Sequence, residues 1–418
     1  MTTIRVQSVN DVNGPVERDD LLINPPQKLL IAGGVLVAVV LFAYLLATQH
    51  ISQSMLLGIG LLLGFTLFHA RFGFTSAFRR MASVGNGQAM RSHMLMLGIA
   101  VTLFAPILAY GATFFGGPVA GYVSPVGVSL IVGAFVFGIG MQLGGGCASG
   151  TLYAIGGGRT VMFVTLAFFI VGATVGAYHL PFWTEEMPAF APISLATSTG
   201  LGYGGAWLVS IALFGFIACI TLIIEKKKKA PKMATLPTER GWKRIFRGSW
   251  PLFAAAIVLA VLNALTLLTR GTPWGITSAF ALWGSKIASI LGFDVASWGY
   301  WQGANASALE ASIFTDSTTV LNFGVMIGAF IASAAGGLFK FTRVTAGNFA
   351  ASVIGGLMMG YGARLAFGCN IGAYFGGIAS FSLHGYIWGI LALAGTFLAL
   401  YLRPLFGLTV PKSNDSIC

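Results

Sequence analysis

Ten stretches of this sequence stay apolar for about 20 residues each, the length an α-helix needs to cross the hydrocarbon core of a bilayer. They run roughly over 28–48, 53–70, 93–115, 126–146, 160–181, 204–224, 251–269, 321–340, 348–368 and 382–402. A soluble fold cannot hide so many runs. The chain is 56% hydrophobic and only 9% charged, against about 25% charged residues in a soluble protein. The expected class is an all-α polytopic membrane protein with about ten spanning helices, supplemented by broken or half-length ones.

Charge gives the orientation. Between Glu225 and Trp250, nine basic residues from Lys226 to Arg247 face two acids, within a net charge of +12. Loops on the cytoplasmic side collect Lys and Arg, so this segment is expected in the cytoplasm. Arg71, Arg79, Arg80, Arg91, Arg159, Lys340, Arg343, Arg403 and Lys412 then fall on the same side, and Glu185, Glu186, Asp294, Glu310 and Asp316 outside. An anionic-lipid or nucleic-acid patch is the competing reading of the basic run; topology alone explains it, and no nucleic-acid partner is expected. The division that follows is a polar N-terminal tail (1–27), a first membrane half (28–224), a basic cytoplasmic linker (225–250), a second membrane half (251–403) and a C-terminal tail (404–418). The tail carries Asp11, Glu17, Asp19 and Asp20, unlike the positive start of a signal peptide. Localisation in the cell inner membrane, with both termini cytoplasmic, is expected.

The chain also repeats itself, a signal best sought before motifs. Gly73-Phe-Thr-Ser-Ala-Phe78 recurs as Gly275-Ile-Thr-Ser-Ala-Phe280, and Gly133, Gly138, Gly140, Leu143, Gly146, Cys147 and Gly150 recur 222 residues later as Gly355, Gly360, Gly362, Leu365, Gly368, Cys369 and Gly372. The two signatures lie 74 residues apart in the first unit and 94 in the second, which places an insertion near Asp294–Ser317. With one crossing between the units, the second starts from the opposite side: an inverted internal repeat. Transport folds often carry such repeats, with the working site near the midplane where they meet.

Each unit leads a glycine-rich helix into a break, Gly144-Gly-Gly146-Cys147 in one and Phe367-Gly368-Cys369-Asn370 in the other. Irregular backbone at membrane depth is tolerated only inside protein or beside a polar cavity. Both thiols are therefore expected to line a passage. A half-helix starting after each would aim its free N–H groups and positive dipole end at an anion, with Ser149 and Asn370 adding donors; Gly146, Gly150, Gly368 and Gly372, which interrupt the helices there, are counted with the expected pathway. The plain alternative is that small residues only allow tight packing. Arg364, the counterpart of Gln142, attracts an anion or snorkels to the interface. His384 opens the last run, at an interface or on the path. Lys286 and Arg79 follow the repeated strings as weaker candidates, and Cys219 and Cys418 read as bystanders. All 12 acids lie outside the ten runs, so no buried carboxylate relay is apparent. No metal cluster, nucleotide loop or hydrolase signature is present, and no cofactor is expected.

Gly360-Tyr-Gly-Ala-Arg-Leu-Ala-Phe-Gly-Cys-Asn-Ile-Gly372, followed by Ser382-Leu-His384, resembles the signature of the YeeE/YedE family, as do Gly144–Gly150 around Cys147 and Phe74-Thr-Ser-Ala-Phe-Arg79. The resemblance covers about Leu56 to Leu402. It implies a membrane transporter of reduced-sulfur ions, thiosulfate foremost, with a selenium-related branch, in an hourglass-like protein where the anion passes the centre through hydrogen bonds to thiols. On this chain those thiols are Cys147 and Cys369. Many relatives carry a further Cys where this chain has Gly73, which questions any three-thiol relay. The partners implied are a small inorganic anion, the lipid bilayer and a cytoplasmic sulfurtransferase. A passive channel for a polar solute and a membrane thiol-redox or sulfur-transfer enzyme are the alternatives; the expectation is that the chain is not an enzyme.

Overall fold

The computed structural model describes residues 24–233 and 241–412. The first 23 residues of the N-terminal tail, linker residues 234–240 and the chain from 413 onward, with Cys418, lie outside the described residues.

The order of helices is α1 (Lys28–Thr48), α2 (Ile51–Ala70), α3 (Phe74–Val84), α4 (Gln88–Tyr110), α5 (Val128–Leu143), α6 (Ala148–Gly156), α7 (Val161–Pro181) and α8 (Gly202–Lys228). There follow α9 (Lys243–Phe246), α10 (Leu252–Arg270), α11 (Thr277–Ile290), α12 (Ala306–Glu310), α13 (Ser317–Ala335), α14 (Ala346–Leu365), α15 (Gly377–Ala379) and α16 (Leu383–Leu402). Wide π-helical turns over Asn370–Gly376 lead into α15. Two-residue strands β1 (Val126–Gly127) and β2 (Ala189–Phe190) pair antiparallel, Val126 opposite Phe190. Among the described residues nine helical stretches are long and apolar enough to span a bilayer, or ten when α14 and the segment Asn370–Ala379, bent by 41° from it, count as one broken span. The chain is an all-α polytopic membrane protein.

Two boundaries move relative to the apolar runs, for polar reasons a hydropathy window does not register. The run at 93–115 is the helix Gln88–Tyr110: Gly85 (φ +74) stops α3, Arg91 pairs with Glu225 at 2.6 Å, and Gly111 (φ +65) ends the helix. The run at 321–340 is Ser317–Ala335, because Asp316 caps it by accepting from the N–H groups of Thr318 (3.3 Å) and Thr319 (2.8 Å). Neither α3 nor α11 reaches spanning length, at 11 and 14 residues; both start within the repeated Thr-Ser-Ala-Phe string. The extra chain of the second unit forms short 3₁₀ turns and α12 between α11 and α13.

Helices at matching places in the two sequence units pack reciprocally. α7 lies on α14 and α16 on α5; α2 on α13 and α10 on α4; α1 on α13 and α8 on α4; α11 on α7 and α3 on α16. α5 and α14, themselves counterparts, pack on each other. The repeated glycines make that last contact. A Cβ on Gly133 would sit 2.8 Å from the Gly362 carbonyl oxygen, and one on Gly355 would sit 2.7 Å from that of Gly140. Small residues let helix backbones meet this closely where apolar burial gives no drive between helices. α1 and α8 stay peripheral, with only 17% of each spanning stretch buried.

Candidate functional site

α5 ends at Leu143, and Gly144–Gly146, with Gly145 at φ +79, turn the chain so that Cys147 caps the new helix α6. Its thiol is 1% exposed and its Sγ lies 3.4 Å from Ser149 Oγ. The Cys147 carbonyl accepts from both the Thr151 N–H (2.8 Å) and the Thr151 hydroxyl (2.9 Å). In the second unit Phe367 (φ 56) and Gly368 (φ +147) make the break, and Cys369, also 1% exposed, caps Asn370–Gly376. Cys369 Sγ accepts from the Ile371 N–H at 3.4 Å. Both thiols thus stand where a helix restarts. At Gly372 a Cβ would meet open space, whereas at Gly368 it would press on the Ala373 nitrogen at 2.8 Å. Gly146 backs onto Gly150, whose own Cβ position is 3.5 Å from Cys147 Sγ.

Asn370 is fully buried, and neither its Oδ1 nor its Nδ2 has a hydrogen-bond partner. Buried amides are nearly always paired, so two unmet atoms on one side chain require a reason. His384 is also fully buried; its Nδ1 bonds the Ser382 hydroxyl at 2.6 Å, its Nε2 is unmet, and its ring backs onto Gly377. That histidine is enclosed by protein. No cluster of His, Cys, Asp and Glu fit for a metal is present among the described residues.

Gln142 and Arg364, matched in sequence, make matched contacts. Gln142 Nε2 donates to the Thr75 carbonyl (3.1 Å) and the Thr396 hydroxyl (3.2 Å), and Arg79 donates to its Oε1 (3.4 Å). Arg364 Nη2 donates to the Thr277 hydroxyl (3.3 Å), the threonine equivalent to Thr75, and Nη1 to the Tyr300 hydroxyl (2.7 Å). Arg364 is 8% exposed and lies over the Tyr300 ring, with its Nε unmet. Lys286 instead turns to the carbonyls of Leu309 and Ala311 and so fastens the inserted segment to α11. Cys219 sits on an exposed part of α8, apart from the two buried thiols.

Several partners of the site carry no mark in the sequence. Tyr122, from the loop between α4 and α5, donates its hydroxyl to the Phe367 carbonyl, and its N–H bonds Ser380 Oγ at 2.8 Å. Burial pushes the Tyr122 phenol up to about 12, so it stays a donor. The Leu195 N–H donates to the Phe381 carbonyl at 2.8 Å and the Leu383 N–H to that of Ile193 at 3.0 Å. Phe381 (φ 59), like Phe367, is held in the left-handed region. Two loops of the first unit thereby clamp both ends of the broken segment that carries Cys369, where a non-glycine residue pays strain that the surroundings must offset.

The two breaks thus carry two buried thiols, each at the start of a helix, with unmet amide and imidazole atoms and a buried arginine near the second break. The sequence is 29% identical over 360 residues to the thiosulfate transporter TsuA of Escherichia coli, covering 82% of this chain and 94% of that protein. It is 28% identical over 359 residues to the protein of the same name from Spirochaeta thermophila, covering 81% and 95%. It is 30% identical over 173 residues to the probable transporter YedE of Escherichia coli, covering 40% and 42%. The family and these relatives are named as transporters, not as enzymes. With the sulphur-transport model matching residues 69–398, from the end of α2 to the last turns of α16, the chain belongs to the sulphur-transport family.

Proposed function

We propose that this chain takes up thiosulfate, along a path that runs between its two sequence units and past Cys147 and Cys369. The observation that carries the reading is Asn370, whose two buried and unpartnered amide atoms adjoin a capping thiol. Thiosulfate has oxygens that accept from amide and backbone N–H groups, and a terminal sulfur soft enough for a weak thiol donor. Contacts of this kind are favourable without being deep, as conduction through sites in series requires. Serine in place of either thiol would keep a donor but lose the match in softness and size.

Orientation follows from charge. The linker from Glu225 onward faces the cytoplasm in this reading, so the membrane is the cell inner membrane, both termini are cytoplasmic and the second unit is inverted relative to the first. The reciprocal packing of the two units supports that inversion. A soluble acceptor such as a sulfurtransferase would meet the anion on the linker face.

The test is uptake into proteoliposomes of purified full chain. Labelled thiosulfate should accumulate and be competed by excess unlabelled thiosulfate. Uptake of selenium anions in place of thiosulfate would reassign the substrate, and equal passage of uncharged polar solutes would replace the transporter by a passive channel.

A further inference from the structure

The two units keep a positive charge beside their breaks, but on different residues. Gln142 and Arg364 each stand five residues before their thiol. Each reaches the threonine of the repeated string, Gln142 the Thr75 carbonyl on α3 and Arg364 the Thr277 hydroxyl on α11. In the first unit the motif position is the neutral Gln142, and the guanidinium comes from Arg79, the residue after the string, which donates to Gln142 Oε1. In the second unit the residue matching Arg79 is Ala281, fully buried, and the motif position is itself the arginine. Each of the packed pairs, α3 with α5 and α11 with α14, thus holds one guanidinium on this pair of positions, carried by opposite helices.

The charge of the second unit lies against the Cys369 break. Arg364 is in the last turn of α14, and its backbone carbonyl accepts from the Phe367 N–H at 3.3 Å. Gly176 of α7 leaves the room that its stem takes: a Cβ there would sit 2.8 Å from Arg364 Cβ and 2.9 Å from Cγ. The side-chain partners of Arg364, the Thr277 hydroxyl and the hydroxyl and ring of Tyr300, are neutral. Among the described residues no carboxylate pairs with it. A guanidinium stays protonated in a protein, and a buried charge is screened only weakly by salt. The Tyr122 phenol feels both the Arg364 charge and the Cys369 thiol, which places the two around one side chain. Arg270, also felt by Tyr122, is differently placed: it donates to the carbonyls of Thr272 and Pro273 and to the hydroxyls of Ser317 and Thr318, beside the capping carboxylate of Asp316.

We propose that the guanidinium of Arg364 is the charge-selecting group at Cys369, favouring a divalent oxyanion there over monovalent and neutral solutes, and that Arg79 supplies the same charge beside Cys147. What the repeat keeps is one positive charge per helix pair; which helix carries it differs. The proposal deepens the transport reading and rests on it for the identity of the anion, whereas the field at each thiol is measurable without transport.

The test is the rate at which Cys369 is alkylated by iodoacetate and by iodoacetamide, reagents of similar size of which only the first is anionic. It uses the full chain in detergent with Cys147, Cys219 and Cys418 replaced by alanine. The ratio of the two rates cancels any change in thiolate fraction and isolates the field. Arg364→Gln gives the second unit the residue that the first already accommodates, and should lower the ratio roughly tenfold. Arg364→Lys should stay close to the parent ratio, although a lysine lacks the fork that holds Tyr300 and Thr277 together. With Cys147 as the remaining thiol, Arg79→Ala should lower the ratio and Arg79→Ala/Gln142→Arg should restore it. A parent-like ratio in Arg364→Gln, or a lysine variant as low as the glutamine one, would make Arg364 a hydrogen-bonding strut and overturn the proposal. So would a Cys369 that reacts with neither reagent, since no anion then comes under that charge. If Arg364→Gln is not monodisperse, the Arg79 variants decide, and a parent-like ratio in Arg79→Ala overturns the proposal. Absence of thiosulfate uptake by the parent would sink the transport reading and leave these ratios to decide the charge alone.

Discussion

Asn370 sets function against stability. An unmet buried polar group costs on the order of 1–3 kcal/mol, whereas an apolar group of similar shape in its place is close to neutral or stabilising. Asn370→Leu is therefore expected to leave the melting temperature of the purified protein unchanged or raised while cutting thiosulfate uptake at least tenfold; a lower melting temperature with normal uptake would make the amide a structural group. Tyr122→Phe works the other way. It removes one hydrogen bond from the Phe367 carbonyl, net about 1 kcal/mol, and frees a strained turn beside Cys369, so uptake should fall with only a small loss of thermal stability. The pairs Cys147 with Cys369 and Gln142 with Arg364 were legible from one sequence because each occurs twice at a constant offset. Tyr122 and Tyr300 were not: they reach the site from segments remote along the chain, and neither periodicity nor repetition marks a residue whose contacts arise only from packing.

At the scale of elements, the same change has opposite consequences at two glycines of the motif. Gly355→Ala drives a methyl to within 2.7 Å of the Gly140 carbonyl on α5, overpacking that typically costs about 1–3 kcal/mol; a clear drop in melting temperature is expected. Gly372→Ala places its methyl in open space just after Cys369. The protein should melt as the parent does and yet transport more slowly if the proposed path runs past this thiol, where the methyl would narrow it. Equal melting temperatures for the two variants would contradict the glycine-to-glycine contact between α5 and α14. The spanning helices were visible as apolar runs, and the broken helices as glycine clusters ending in Cys. The short helices α3 and α11 escaped because each is too brief and too polar at its ends for a hydropathy window, although their repeated strings showed that something was shared there.

For the whole molecule, the reciprocal contacts of the two units are what two interlocking repeats produce, and the proposed inversion and the faces proposed from charge can be tested from the two sides of the membrane. Single cysteines at Lys229 and Lys412 should react with an impermeant maleimide from one side of the membrane and a cysteine at Thr199 from the other, measured in a protein whose native cysteines have been replaced. Thr199 labelling from the same side as Lys229 would mean that α8 does not cross and would remove the inversion. The interlocking itself could not be read from the sequence, since a repeat states which segments are alike and leaves open which of them touch.

Passage of the anion by way of both thiols is the claim on which the rest depends. The most direct measurement is the initial rate of labelled thiosulfate uptake into proteoliposomes by the parent, Cys147→Ala and Cys369→Ala proteins at matched incorporation. Each alanine variant should fall at least tenfold below the parent, with the corresponding serine variants in between. Parent-like rates in both alanine variants would contradict a route through the thiols.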